Sequence, residues 1–162
     1  MNTKKFEFEY KVYDDISELD KSDIFLLTKA RSVTSKAYAP YSNFVVGAAA
    51  ILENGETVVG TNQENAAYPD GMCAERVALF AKASQYPEDT IKMIVVVAKS
   101  DNVEGLVPAT CCGSCRQVML EFELRQDKTY EVIMQGDKRQ WITAPSAQSL
   151  LPFSFTKKNL LI

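Results

Sequence analysis

Three cysteines and one glutamate have the residue types and spacing of a zinc-dependent catalytic site. Cys112 and Cys115 have two residues between them, and Cys73 lies well upstream. Three thiolates can hold Zn²⁺ at three corners of a tetrahedron and leave the fourth corner for water, which is the arrangement of a catalytic zinc site. Glu75 follows the first cysteine by two residues, so it is placed to carry protons at that open corner.

Two helices are expected to begin at the cysteines, one near Cys73 and one near Cys112. An Ala-rich helix is predicted from residue 73 to about residue 86, and apolar residues from Cys115 to Phe122 repeat at helical spacing. Side chains two residues apart on a regular helix point about 200° from one another, so Cys73 and Glu75 can share one metal ion only if Cys73 begins the helix.

The negative charge of three thiolates requires something positive nearby. Free backbone N–H groups and the positive end of the dipole at a helix start stabilise a thiolate, and both Cys73 and Cys112 are predicted to occupy such positions. Arg76 is the candidate cation that donates to the thiolates.

Cys111 leaves the ligand assignment open by one residue, although the spacing favours Cys112. Two other interpretations compete with a catalytic site. The cysteines could be inert core residues, since free cysteine is among the most buried residue types. A structural zinc would need a fourth ligand, and only Cys111 remains, in a poor position beside Cys112. Glu75 and Arg76 favour the catalytic interpretation.

Apolar patterning elsewhere predicts one domain, residues 1–162, in which a mixed sheet has helices on both faces. A first helix is predicted from Asp20 to Ala39, and residues 100–109 are predicted to be a connection. The role of the N-terminal extension, residues 1–20, stays open. The five predicted strands are residues 45–52, 57–60, 91–98, 130–135 and 139–143.

Composition narrows the function classes. The chain has 162 residues, 46% of them hydrophobic, and a net charge of −3, which provides no basic field for nucleic acid. No apolar run is long enough to span a membrane, and the clustered cysteines are typical of a reducing compartment, so we expect a cytoplasmic protein with a small substrate. The absence of histidine excludes His-ligated zinc and His-based triads.

The motifs resemble those of the small zinc-dependent cytidine deaminases with three cysteine ligands, which act on free nucleosides. The matching segments are Cys73-Ala-Glu-Arg76, Cys112-Gly-Ser-Cys115-Arg-Gln117, Tyr41-Ser-Asn-Phe44 with Val46-Gly-Ala-Ala49, and Asn62-Gln-Glu-Asn-Ala66 ending at Tyr68. The resemblance implies a three-layer α/β/α sandwich around a mixed five-stranded sheet and one zinc ion per chain. Cys111 and Val45 depart from the family, which usually has proline at both positions.

The resemblance also implies roles for the substrate-binding residues. Asn62 and Glu64 would bind the sugar hydroxyls, Phe44 would stack on the pyrimidine, and the backbone near Ala66 would contact the edge of the base. Buried hydroxyl recognition of this kind discriminates strongly, because an unfilled site leaves polar groups unpaired.

Tyr68 and Phe155 match residues that, in this family, enter a neighbouring subunit's site. The apolar segment of residues 150–155 has few predicted partners in its own chain, and apolar surface of this kind usually marks an interface. A homotetramer with sites shared between subunits is therefore expected.

The resemblance implies hydrolytic deamination of free cytidine and 2'-deoxycytidine, a reaction of pyrimidine salvage, with Glu75 moving the protons and Arg76 supporting the thiolates. Deamination of a modified cytosine nucleoside, such as an aminoacyl-nucleoside antibiotic, is the nearest alternative. A zinc-stabilised binding module is the non-enzymatic alternative, which the presence of Glu75 disfavours.

Overall fold

A mixed β-sheet forms the centre of the fold. The structure, a computed structural model, describes residues 1–100 and 102–160. The strands are β1 (Lys11–Tyr13), β2 (Phe44–Leu52), β3 (Thr57–Thr61), β4 (Ile91–Ser100), β5 (Val103–Val107), β6 (Glu131–Gln135) and β7 (Trp141–Ala144). Their order is β1-β7-β6-β4-β2-β3, with β5 paired to β4 beyond the end of β6. The β4–β6 pair is parallel, and the others are antiparallel.

The prediction of five strands is wrong in number, because the sheet formed by the described residues, 1–100 and 102–160, has seven. β1 lies in the N-terminal extension, where a loose alternation over residues 1–13 leaves either a strand or packing along the surface open. β5 lies in the segment predicted to be a connection, is mostly exposed and contains Gly105 at a φ of 91°, so it has no apolar pattern. The five predicted strands and the α/β class are confirmed.

In the part of the chain that the structure describes, three α-helices pack on the sheet: α1 (Lys21–Val33), α2 (Ala74–Gln85) and α3 (Gly113–Gln126). α1 ends earlier than the predicted Ala39, because Thr34 donates its hydroxyl to the carbonyl of Arg31 and the chain tightens into a 3₁₀ turn at residues 34–36. No helix in the described ranges is both long and apolar enough to cross a membrane.

Alternate residues of the inner strands face two separate cores. Ala49 and Val95 pack with α1 on one face, whereas Ala48, Ala50 and Val96 pack with α2 and α3 on the other. These side chains are buried, as expected for strands covered by helices on both sides. The predicted arrangement of helices on both faces is confirmed.

Gly60 lets α2 approach the sheet closely. A Cβ atom at this position would lie 2.4 Å from both the carbonyl oxygen of Ala74 and the backbone nitrogen of Ala78. Because no side chain fits there, the first turn of α2 lies directly against β3. This contact fixes the helix start that carries Cys73.

Candidate metal centre and substrate site

The three predicted ligands converge at two helix starts. Cys73 is the N-cap residue of α2, Cys112 is the N-cap residue of α3, and Cys115 lies in the first turn of α3. Their Sγ atoms all lie within 4.8 Å of one another, and those of Cys73 and Cys112 are 3.8 Å apart. The predicted position of Cys73 at the helix start is confirmed.

This cluster fits a zinc ion. Sulfur ligands about 2.3 Å from a tetrahedral Zn²⁺ lie about 3.8 Å from each other, which agrees with the Cys73–Cys112 separation. Cys115 is buried, whereas Cys112 is exposed, so the cluster can be reached from solvent. The backbone N–H of Cys115 donates to Cys112 Sγ at 3.4 Å, as expected for sulfur at a helix start.

The pKa values of the Cys73 and Cys115 thiols are shifted in opposite directions. A hydrogen bond from Cys115, together with the Arg76 guanidinium, lowers the pKa of Cys73 to about 5, although partial burial acts against this. The pKa of Cys115 is raised because its thiol bonds to Cys73 and because it is buried. A bound dication would favour the thiolate form of its sulfur ligands.

Glu75 is buried beside this cluster, with 4% of its surface exposed. Burial raises the pKa of its carboxyl, and the charge of Cys73 adds to this effect. The thiols of Cys115 and Cys111 interact with the carboxyl and act in the opposite direction. A carboxyl whose protonated form is favoured in this way is suited to accept and return a proton.

Arg76 and Cys111 occupy different positions relative to the thiols. A terminal nitrogen of Arg76 donates to Cys73 Sγ at 3.8 Å, and the buried Arg76 Nε has no partner among the described residues. Cys111 is buried, 1% exposed, and its backbone N–H donates to Met134 Sδ at 3.4 Å. Cys111 is outside the three-sulfur group.

The side chain of Asn62 is paired with the backbone of β2. Its Nδ2 donates to the carbonyl of Phe44 at 2.9 Å, and its Oδ1 accepts from the N–H of Val46 at 2.8 Å. Asn62 therefore fixes the start of β2 and the position of Phe44. One Nδ2 hydrogen remains for a further acceptor.

Glu64 is held by the loop that precedes Phe44. Its Oε2 accepts the N–H groups of Tyr41 and Ser42 at 2.9 and 3.2 Å, and its Oε1 accepts the hydroxyl of Ser42. The Ser42 hydroxyl and the Tyr41 N–H lower the pKa of this carboxyl. Asn43 adopts a positive φ of 52°, which turns the loop towards β2.

Residues 41–44 and 62–66 form the candidate substrate loop. A short β-bridge joins this loop to the segment that carries the metal ligand Cys73. The backbone groups of Gln63 and Met72 exchange two hydrogen bonds of 2.9 Å. Asn62 and Glu64 are the chain neighbours of Gln63, and Met72 is the chain neighbour of Cys73. The Gln63–Met72 pair therefore holds Asn62 and Glu64 near the metal cluster.

Ala66, Tyr68 and Phe155, the other residues predicted to contact the substrate, lie at the surface. Tyr68 begins a 3₁₀ turn at Tyr68–Asp70 and is 92% exposed, and Ala66 is also exposed. Phe155 is 59% exposed, and its carbonyl accepts the Gln117 side chain at 2.7 Å. Tyr68 and Phe155 thus present aromatic surface outward.

Sequence reasoning missed residues that hold these groups in place. Ser42 lies inside the Tyr41–Phe44 motif, and Arg116 and Gln117 lie inside the motif of Cys112 and Cys115. Their positions inside these motifs were the only indication in the sequence that they support the site. Their partners are distant in sequence, so spacing alone could not assign them.

Comparisons with known proteins agree with this geometry. Residues 20–130 match the sequence model of the cytidine and deoxycytidylate deaminase zinc-binding region. Cytidine deaminases of Halalkalibacterium halodurans and Sporosarcina psychrophila are 38% and 36% identical, over 83% of this chain and 95% and 92% of the relatives. The crystal structure of cytidine deaminase from Burkholderia pseudomallei is 39% identical, covers 82% of this chain and 98% of its own, and superposes with a TM-score of 0.67.

Proposed function

Because the chain belongs to the cytidine and deoxycytidylate deaminase family, we propose that it deaminates free cytidine and 2'-deoxycytidine to the corresponding uridines, with release of ammonia. The observation that carries this proposal is the juxtaposition of the three-thiol cluster with the buried Glu75. One zinc ion per chain fits this cluster.

Cys73, Cys112 and Cys115 would hold the zinc. When bound, zinc supplies hydroxide at neutral pH by lowering the pKa of water to about 7. Arg76 donates to Cys73 and offsets part of the thiolate charge. The helix starts at Cys73 and Cys112 contribute in the same direction.

Glu75 would move the protons. Its carboxylate takes one proton from the attacking water and delivers it to N3 of the base. It then takes the second proton of that water, from the oxygen now bonded to C4, and passes it to the departing amine. The net change replaces the amino group with oxygen and releases ammonia. Burial raises the pKa of Glu75, which favours its protonated form, so the carboxyl can hold each proton during its transfer.

The substrate loop would bind the nucleoside. Asn62 retains one Nδ2 hydrogen for a sugar hydroxyl, and Glu64 can accept a second hydroxyl. Phe44, which Asn62 holds in place, would stack on the pyrimidine ring. The backbone near Ala66 would contact the edge of the base.

We further propose a homotetramer in which Tyr68 and Phe155 complete a neighbouring subunit's site. The support is their outward exposure together with that of Phe153, which is 98% exposed. The four free cysteines support a reducing, cytoplasmic compartment. The products would then enter pyrimidine salvage.

Two experiments test the function. Ammonia release should occur with cytidine and 2'-deoxycytidine, and not with an aminoacyl-cytosine nucleoside or a cytosine-containing oligonucleotide. Metal analysis should find one zinc per chain. Turnover of the aminoacyl nucleoside alone would replace the proposed substrate, and zinc binding without any turnover would favour the binding module.

A mixing experiment tests the assembly. Inactive Glu75→Gln chains combined with Phe155→Ala chains should recover part of the activity if sites are shared. A fully active monomer in sedimentation would contradict the proposal, because a monomer has no neighbour to lend Phe155.

A further inference from the structure

The C-terminal tail, residues 146–160, is held against α3 by side chains of that helix. Glu123 is buried, and its carboxylate accepts the N–H groups of Ala147 and Gln148 at 2.7 and 3.2 Å. One buried side chain thus satisfies two backbone N–H groups of the tail. The beginning of the tail is therefore fixed near the end of α3.

The tail then runs back towards the start of α3. Arg116 donates to the carbonyl of Leu150 at 3.3 Å, and Gln117 donates to the carbonyl of Phe155 at 2.7 Å. Arg116 and Gln117 directly follow the thiol of Cys115. Leu150 and Phe155 of the tail thus lie beside the part of α3 that carries Cys115.

Arg116 contacts both the tail and the metal-ligand segment, residues 111–115, which includes the first turn of α3. Its Nε donates to the carbonyl of Cys111 at 2.8 Å, while its terminal nitrogen holds Leu150. Cys111 immediately precedes the thiol of Cys112. A guanidinium is a rigid planar fork, so movement of one carbonyl disturbs the bond to the other.

We propose that Arg116 is a positioning residue that couples the metal-ligand segment to the tail, so that zinc binding holds the tail against α3. The coupling rests on the zinc site proposed above but not on the identity of the substrate. It is reciprocal, since a tail held more firmly by zinc must in turn strengthen zinc binding by the same factor. Because Gln117 donates to the carbonyl of Phe155, the same coupling also fixes the position of Phe155 at the surface.

The rate of chymotrypsin cleavage after Phe153 and Phe155 measures this coupling, because both side chains are exposed and cleavage requires the tail to leave α3. Cleavage would be followed by mass spectrometry in zinc-loaded and chelator-treated protein. We expect at least roughly fivefold faster cleavage without zinc, and the same fast cleavage in both states for Arg116→Lys, since a lysine is a point donor that cannot span two carbonyls.

Arg125→Lys is the matched control. Arg125 lies on the same helix, with its guanidinium over the ring of Phe122, and should keep the wild-type ratio of cleavage rates. Gln117→Ala should speed cleavage after Phe155 in both states while keeping the dependence on zinc. A wild-type ratio in Arg116→Lys, or zinc-independent cleavage in the wild type, would overturn the coupling.

Hydrogen exchange tests the same coupling without substitution. The N–H groups of Leu150 and Leu151 bond to the carbonyls of Ala147 and Gln148, and zinc should slow their exchange in the wild-type protein. Unchanged exchange with one zinc bound would overturn the coupling alone. Absence of bound zinc would overturn both the coupling and the metal site on which it rests.

Discussion

Ser42 and Glu64 form a hydrogen-bonded pair that connects two parts of the substrate loop. The hydroxyl of Ser42 donates to Glu64 Oε1, and the same Ser42 oxygen accepts the N–H of Phe44 at 3.1 Å. One hydroxyl therefore orients both the proposed sugar ligand and the proposed stacking ring. This arrangement makes Ser42 sensitive to substitution although it is not itself proposed to touch the substrate.

Replacing Ser42 with alanine should raise the KM for cytidine roughly tenfold, with little change in kcat. The change removes a hydrogen bond to a charged acceptor and frees Phe44, but leaves the metal cluster intact. Steady-state kinetics measure the effect. Ser32→Ala on α1 is the control, because the Ser32 hydroxyl bonds only within its own helix. An unchanged KM would contradict the assignment.

Glu75→Gln should keep about one zinc per chain and lose at least ~10²-fold in kcat, the lower end expected for a positioned acid–base group. The amide has almost the same shape as the carboxylate, but it cannot accept the proton. Metal analysis and turnover would be measured on the same sample. Loss of zinc in this variant would make Glu75 a ligand and refute the proposed role.

Metal-free protein should show a pH-dependent stability that comes from Glu75. The pKa of this buried carboxyl is raised above the value of about 4.3 in the unfolded chain. Its contribution to stability is therefore fully present below pH about 4.3 and is lost as the pH rises through the folded pKa. Urea unfolding with a chelator should show that Glu75→Gln gains stability over wild type between pH 5 and pH 8, and an equal difference at both pH values would refute this.

Cys73→Ala, Cys112→Ala and Cys115→Ala should each lower zinc content and thermal stability together, because metal binding favours the folded state. Cys111→Ala is the matched comparison, adjacent to a ligand but outside the three-sulfur group. It should keep its zinc. Equal zinc loss in Cys111→Ala would move the ligand assignment by one residue.

The chemical part of the site could be predicted because its geometry is local. The start of a helix at Cys73 follows from the need to bring Cys73 and Glu75 to one metal ion, and the spacing of Cys112 and Cys115 fits the first turn of another helix. The structure places both as expected. Such constraints act over a few residues and leave a visible pattern.

The parts that the sequence did not predict depend on distant partners. Asn62 was expected to bind sugar, and its pairing with Phe44 and Val46 could not be anticipated because it forms only after β2 and the loop meet. The bridge from Arg116 to Leu150 likewise joins residues far apart in the chain. β5 escaped notice because an exposed strand carries no apolar alternation.

The parallel pairing of β4 and β6 has a consequence for the order of folding events. No hairpin can join these strands, so the chain between them, which contains α3, must be wound across the sheet before they pair. Closing such a long connection is entropically costly and belongs to the slow part of folding. We therefore expect Cys112 and Cys115, at the start of this connection, to meet Cys73 late in folding, so that bound zinc would slow unfolding more than it speeds folding.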